Sequence, residues 1–94
     1  MVLKFLIHTK KDYVGVATYD INKGEEVEGV YMDDGTKISL KALEDIPLGH
    51  KIALKDISKG EKVLEYGEPV AIAVKDIKKG EHVHVHNVKS MRWA

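Results

Sequence analysis

The sequence contains no cysteine, and this absence excludes several kinds of site. Without a thiol, the chain can form no disulfide bond, no thiolate nucleophile and no zinc site of the cysteine type. Chemistry that depends on a thiol or a thiolate is therefore excluded.

An excess of charge of one sign is also missing, because 15 basic residues balance 15 acidic ones. Proteins that track phosphate backbones carry a basic surplus, so we expect no nucleic-acid partner. No run approaches the ~18 apolar residues of a membrane helix, and the apolar run in residues 1–7 is too short for a signal peptide. We therefore expect a single compact domain over residues 1–94, located in the cytoplasm and without membrane contact.

What the sequence does contain is a repeated segment of the pattern Asp-Ile-x-Lys-Gly-Glu. Its copies begin at Asp20, Asp45, Asp56 and Asp76, of which the second is looser. The irregular spacing argues against a solenoid. Short runs rich in β-branched residues precede the copies, so the repeat predicts a strand end, a tight turn and a new strand. The turn glycines, such as Gly60 and Gly80, are expected to take positive φ.

The remaining pattern also favours strands. Residues 27–32 and 36–40 flank Asp33-Asp34-Gly35, which is a strong hairpin signal. Residues 41–44 permit a brief helical turn, but no window shows a helical stripe over three turns. The predicted fold class is therefore all-β, with short strands and glycine-centred turns.

The aspartates of the repeat invite a carboxylate-catalysis interpretation, but turn capping explains four copies in one structural role better. An aspartate just before a turn accepts hydrogen bonds from backbone N–H groups. The Lys-Gly-Glu triplets are likewise turn chemistry, because one glycine cannot form a phosphate cradle and no helix follows it. Among the other candidates, we expect His8 at the surface and Trp93 docked either on this domain or on a partner.

A row of three histidines, at positions 82, 84 and 86, alternates with Val83 and Val85. In an extended strand the histidines share one face and the valines face a core. Alternate residues lie ~6.5–7 Å apart, which lets two imidazoles converge on one ion, whereas His82 and His86 lie twice as far apart. The row therefore predicts a pair that contains His84 and either neighbour, with a third ligand from elsewhere, for which His50 is the candidate.

Two other interpretations of the row stay open. Together with His50, Lys51 and Asn87, the row offers hydrogen-bond donors for a carboxylate or a phosphate-like group. Imidazoles also titrate near neutral pH and can move protons. Alternatively, the row is a solvated strand face with no ligand.

Two segments carry a resemblance to a known family: Pro-Leu-Gly-His-Lys at residues 47–51 and His-Val-His-Val-His-Asn at residues 82–87. With the repeats between them, they resemble the small N-terminal SAF domain of altronate and galactarate dehydratases and the small subunit of sulfolactate sulfo-lyase. The similarity covers residues 8–90. It implies a β-clip fold and a role in a lyase that acts on a sugar acid, or on a sulfonated relative, with a divalent metal, often iron.

The resemblance also implies roles and partners. His50, His84 and His86 are expected to contribute to metal binding, His84 and His86 to catalysis, and His50, Lys51 and Asn87 to substrate binding. The expected partners are a large catalytic subunit, which the row would face, and a small hydroxy acid, with a homo-oligomer left open. Because the chain ends at residue 94, we expect the separate-subunit form or an excised domain. The alternative is a non-catalytic module that binds carbohydrate or protein, since SAF-like domains also occur in sialic acid synthases and in pilus or flagellar assembly proteins.

Overall fold

The computed structural model describes residues 2–91, so Trp93 lies outside the described residues. The strands in this range are β1 Leu3–Ile7, β2 Val14–Ala17, β3 Glu26–Tyr31, β4 Lys37–Lys41, β5 Lys51–Ala53, β6 Lys62–Glu65, β7 Glu68–Ala73, β8 His82–Val83 and β9 Val88–Ser90. The predicted all-β class of short strands is confirmed, and residues 2–91 contain no helix that could cross a membrane.

The hairpin predicted between residues 27 and 40 is formed by β3 and β4, with Val30 opposite Lys37. The brief helical turn expected at residues 41–44 is wrong. Ala42 N–H donates to Glu25 O, and Leu43 N–H donates to Gly80 O. These bonds, and the place of Lys41 as the last residue of β4, tie residues 41–43 to neighbouring segments, so the chain continues past β4 without a local helical turn.

The strands form two sheets, in the orders β4-β3-β1-β2-β5-β8 and β6-β7-β9. β1 and β3 run parallel to each other, and all the other pairs of neighbouring strands are antiparallel. The pairing of β5 with β8 places Ile52 opposite His82 and Lys51 opposite Val83. This register brings the segment that contains His50 beside the histidine row.

Two hydrophobic clusters form the interior. The first surrounds Phe5 and includes Ile21 and Ile46, while the second includes Ile57 and Ile77. These four isoleucines are the second residues of the four repeat copies, and each is at most 1% exposed. They also pair as two isolated β-bridges, Ile21 with Ile46 and Ile57 with Ile77. The repeat therefore supplies each cluster with two core residues.

The repeat aspartates cap turns, as predicted, but each caps the turn of another copy. Asp45 Oδ1 accepts from Lys23 N–H at 2.8 Å, and Asp20 Oδ1 accepts from Leu48 N–H at 2.8 Å. Asp76 and Asp56 make the same exchange with Lys59 N–H and Lys79 N–H, at 2.8 and 2.9 Å. The turns are thus joined in two pairs, one pair beside each hydrophobic cluster.

Another aspartate, Asp12, joins the loop after β1 to the β6–β7 hairpin. Tyr66 and Gly67 form the hairpin turn with φ of 58° and 74°, as a type I′ turn requires. Their N–H groups donate to Asp12 Oδ2 and Oδ1 at 3.1 and 2.9 Å, and the Thr9 hydroxyl donates to Oδ1 at 2.8 Å. Burial alone would raise the pKa of Asp12, but these hydrogen bonds outweigh it and lower the pKa.

Candidate functional site

Three imidazoles meet at the β5–β8 edge. His50, His82 and His84 each offer a ring nitrogen, and these nitrogens all lie within 4.8 Å of one another. His50 Nδ1 and His82 Nε2 are 2.9 Å apart, and the rings of His50 and His84 stack with their centroids 4.4 Å apart. We call these three residues the imidazole cluster. It contains His50, His84 and His82, which precedes His84 in the row, and this is the arrangement that the spacing of the row predicts.

The row itself is not an extended strand, and that part of the prediction is wrong. β8 ends at Val83, residues 84–87 form a turn, and Val85 is 81% exposed instead of facing the core. The turn also brings the rings of His82 and His86 to within 5.2 Å, centroid to centroid. The separation that we expected between these two histidines assumed a straight chain and does not hold.

Asn87 is the physical reason for the turn. Its Oδ1 accepts from His84 N–H at 3.0 Å, and its Nδ2 donates to His82 O at 2.7 Å. An asparagine that bonds nearby backbone groups offers the chain an alternative to the strand ladder. Asn87 is buried, so the structure gives it the role of shaping the turn that presents His84 and His86. Its contact with a substrate stays a prediction.

The electrostatic surroundings favour the neutral imidazole of His82. Burial, followed by the neighbouring His86, His50 and His84, lowers the pKa of His82, while Glu44 acts weakly in the opposite direction. Glu44 also accepts a hydrogen bond from His82 N–H at 2.8 Å and so fixes the start of β8. Neutral imidazole is the form that binds a metal ion.

The donor set fits a divalent metal. Two nitrogens each about 2.1 Å from an ion lie about 3.0 Å apart at an octahedral angle and about 3.4 Å apart at a tetrahedral angle. The 2.9 Å between His50 Nδ1 and His82 Nε2 is close to the octahedral value. His84 and His86 are exposed, so the cluster is open on one side to further ligands.

A cleft of about 350 Å³ lies next to the imidazole cluster, with His84 in its wall. Valine and alanine side chains supply most of the lining, together with Lys51, Glu65 and Ser90. Lys51 Nζ lies 3.7 Å from Glu65 Oε1, so the ammonium group is on the cleft side and pairs with an acid of the other sheet. The structure thus brings Lys51 close to His84 through the cleft that both residues line.

Sequence reasoning missed Glu65 and misplaced His8. Glu65 is 8% exposed, and His8 Nε2 lies 3.7 Å from its Oε2. His8 is half-buried, and its ring stacks on Tyr66 with the centroids 3.7 Å apart, so its expected surface position is wrong. The signal for Glu65 was its place two residues after Val63, on the apolar face of β6.

The family model for the SAF domain of altronate and galactarate dehydratases matches residues 3–91. The chain belongs to this family. The resemblance inferred from the sequence is thereby confirmed, and the two curled sheets agree with the predicted β-clip fold.

Relatives of this SAF domain occur in two arrangements. Over 94 residues it is 37% identical to (2R)-sulfolactate sulfo-lyase subunit alpha of Chromohalobacter salexigens, covering 99% of this chain and 100% of the relative. Over 64 residues it is 44% identical to the protein of the same name from Paracoccus pantotrophus, covering 68% and 96%. Over 81 residues it is 41% identical to altronate dehydratase of Bacillus subtilis, covering 86% of this chain but 15% of the relative.

Proposed function

We propose that this SAF domain is the small subunit, or the equivalent N-terminal domain, of a metal-dependent lyase. The substrate is a hydroxy acid, either a sugar acid such as altronate or a relative such as sulfolactate, and a large catalytic subunit completes the active site. The observation that carries the proposal is the match to a sulfo-lyase subunit alpha along its whole length. In keeping with this role, we expect the protein in the cytoplasm.

The imidazole cluster is the proposed metal site. His50, His82 and His84 would hold a divalent ion such as iron, so that His82 takes the place first expected for His86. A metal bound there would polarise the substrate carboxylate and stabilise enolate-like charge. The open side of the cluster gives room for ligands from the substrate or from the large subunit.

The chain's own residues would bind the anion and move a proton. Elimination from either acid needs a base that removes the α-proton. With a sugar acid the β-hydroxyl group also needs an acid to leave as water, whereas sulfite leaves sulfolactate as an anion. His86 is exposed, and its ring centroid is 5.2 Å from that of His82, so it can serve as this acid without being a ligand. Lys51 is the other candidate for binding the anion, but its ammonium group lies 3.7 Å from Glu65 Oε1, so the anion would instead be held on the open side of the imidazole cluster, by the metal and His86.

The test is to co-express the chain with its large subunit, measure bound metal, and assay elimination from altronate and from (2R)-sulfolactate. We expect His84→Ala to abolish turnover and reduce bound metal without unfolding the domain, because His84 is exposed. His8→Ala, a histidine outside the imidazole cluster, is the matched control and should retain both. Wild-type turnover and metal content in His84→Ala would refute the site, and an inactive wild-type complex would favour a non-catalytic binding module.

A further inference from the structure

The turn at residues 84–87 holds an aliphatic side chain out in solvent. Val85 is 81% exposed, although Asn87 and two backbone bonds to His84 O, from Asn87 N–H at 3.0 Å and Val88 N–H at 3.1 Å, order the turn around it. A flexible loop could turn such a side chain inward, but a bonded turn cannot. Val85 is therefore a fixed apolar projection beside the imidazole cluster.

Val85 stands at the rim of the cleft, and the cleft is apolar as well. Its aliphatic lining residues are Val14, Val63, Val70, Ala71, Val83, Val85 and Val88. Its two charged residues, Lys51 and Glu65, form an ion pair with each other at 3.7 Å. The charges of the cleft therefore nearly cancel, and its walls carry few hydrogen-bonding groups for the hydroxyl groups of a sugar acid. Its chemistry fits an uncharged apolar group.

The position of the cleft indicates which molecule supplies that group. His84 belongs both to the cleft wall and to the imidazole cluster, so whatever fills the cleft also lies beside the proposed metal site. In altronate dehydratase of Bacillus subtilis, the region similar to this chain is 15% of the polypeptide. The remaining part of such an enzyme must contact this domain if it is to complete a site at these histidines.

We infer that the cleft, with Val85 and Val70 at its rim, is the docking surface for an apolar segment of the large catalytic subunit. The inference rests on the proposed function and adds the surface through which the two parts meet. Docking there buries Val85, fills the valine-lined cleft and covers the open side of the imidazole cluster in one step. The Lys51–Glu65 pair lets the surface be buried without an unpaired charge.

The experiment measures the affinity of the purified chain for the large subunit by isothermal titration calorimetry. Val85→Asp and Val70→Asp should each raise Kd by about tenfold or more, since each puts a charge into an apolar contact. Val85→Ile should bind like the wild type. Val2→Asp is the matched control, because Val2 is 60% exposed and does not line the cleft. Circular dichroism melting of each variant checks the fold, which exposed positions should leave intact.

The outcomes separate this inference from the proposed function. If both cleft variants bind as tightly as the wild type, the docking surface is wrong while the proposed function stands. If they lose binding but the wild-type complex eliminates from neither acid, the surface is supported and the lyase assignment falls. If the wild-type chain binds no large subunit, both fall. Sedimentation of the chain alone tests a second copy as the occupant, and a dimer that Val85→Asp dissociates would overturn the inference.

Discussion

His50 Nδ1 and His82 Nε2 lie 2.9 Å apart, although 32 residues separate them in the chain. The contact depends on the β5–β8 pairing, which aligns Ile52 with His82. In the absence of metal it is a hydrogen bond between two imidazoles. An ion bound at the proposed metal site would take up both nitrogens and replace that bond.

The first prediction concerns metal binding by the isolated chain. We expect the chain to bind one Zn²⁺ or Co²⁺ ion. His50→Ala and His82→Ala each remove a ligand, so each should weaken metal binding by more than about tenfold, which is the smallest loss typical of changing a residue that only contacts a ligand. His86→Ala should keep most of the affinity, because His86 lies outside the set of three nitrogens. Calorimetry with Zn²⁺ and visible absorption with Co²⁺ measure this. If His86→Ala is the most damaging change, the ligand set is wrong.

The second prediction concerns the pH dependence of stability with a chelator present. The pKa of His82 is lower in the fold than the value of 6.5 for an unperturbed histidine. As the pH falls through that value, the unfolded chain takes up a proton that the folded chain does not, so stability decreases with falling pH. The decrease levels off below the folded pKa. Melting temperatures from pH 8 to pH 5 measure this.

His82→Gln is the matched variant for that experiment. It removes the titrating ring, so its melting temperature should depend less steeply on pH in the same range. Equal slopes for the wild type and His82→Gln would contradict the assignment.

The third prediction concerns Asp12, which is 6% exposed and accepts hydrogen bonds from Thr9, Tyr66 and Gly67. Asp12→Ala leaves these donors unpaired and should lower the free energy of unfolding by about 1–3 kcal/mol. Urea denaturation measures the loss. Asp33→Ala removes a single exposed bond to Lys10 N–H and should cost much less. Equal losses of unfolding free energy in the two variants would show that the hydrogen bonds of Asp12 do not stabilise the fold more than an exposed bond does.

Asp12 also makes the stability depend on pH, in the same direction as His82 but in a more acidic range. Because its pKa is lowered in the fold, its stabilisation is present above the unperturbed value of 3.8 and disappears as the pH falls through the folded pKa. The loss near pH 6.5 assigned to His82 should therefore persist in Asp12→Ala.

The fourth prediction compares two turn glycines with nearly the same backbone. Gly60 has φ of 89° and Gly80 has φ of 92°, as predicted for the repeat. A Cβ on Gly60 would meet nothing within 4 Å, whereas one on Gly80 would lie 2.3 Å from Lys41 O. Gly60→Ala should cost about 1–2 kcal/mol from backbone strain alone, and Gly80→Ala more. Equal midpoints in urea for these two variants would contradict the clash.

The parts of the fold that local chemistry decides could be predicted from the sequence. The β3–β4 hairpin follows from Asp33-Asp34-Gly35, and the positive φ of Gly60 and Gly80 follows from the repeat. What the repeat could not reveal is that Asp20 and Asp45 cap each other's turns. An aspartate caps its own turn or another with the same geometry, and only the tertiary arrangement decides between them.

The site shows the same division. The alternation of histidine and valine predicts a strand, but the Asn87 amide offers the backbone a turn and stops β8 at Val83. The role of Glu65 could not be predicted, because its two partners, His8 and Lys51, lie far from it in the sequence. Long-range pairing of this kind leaves little trace in a single sequence.

The exchange of caps between repeat copies has a consequence for how the chain avoids misfolding. Four turns with nearly the same sequence can be paired in three ways, and the aspartate caps would satisfy any of them equally. Hydrogen bonds at the turns therefore cannot select the native pairing. The native pairing must therefore be selected by packing in the interior. Ile21 and Ile46 belong to the cluster of Phe5, whereas Ile57 and Ile77 belong to the cluster of Val63. Substitutions that equalise the volumes of these two clusters should promote exchange of turns between molecules, even with every cap intact.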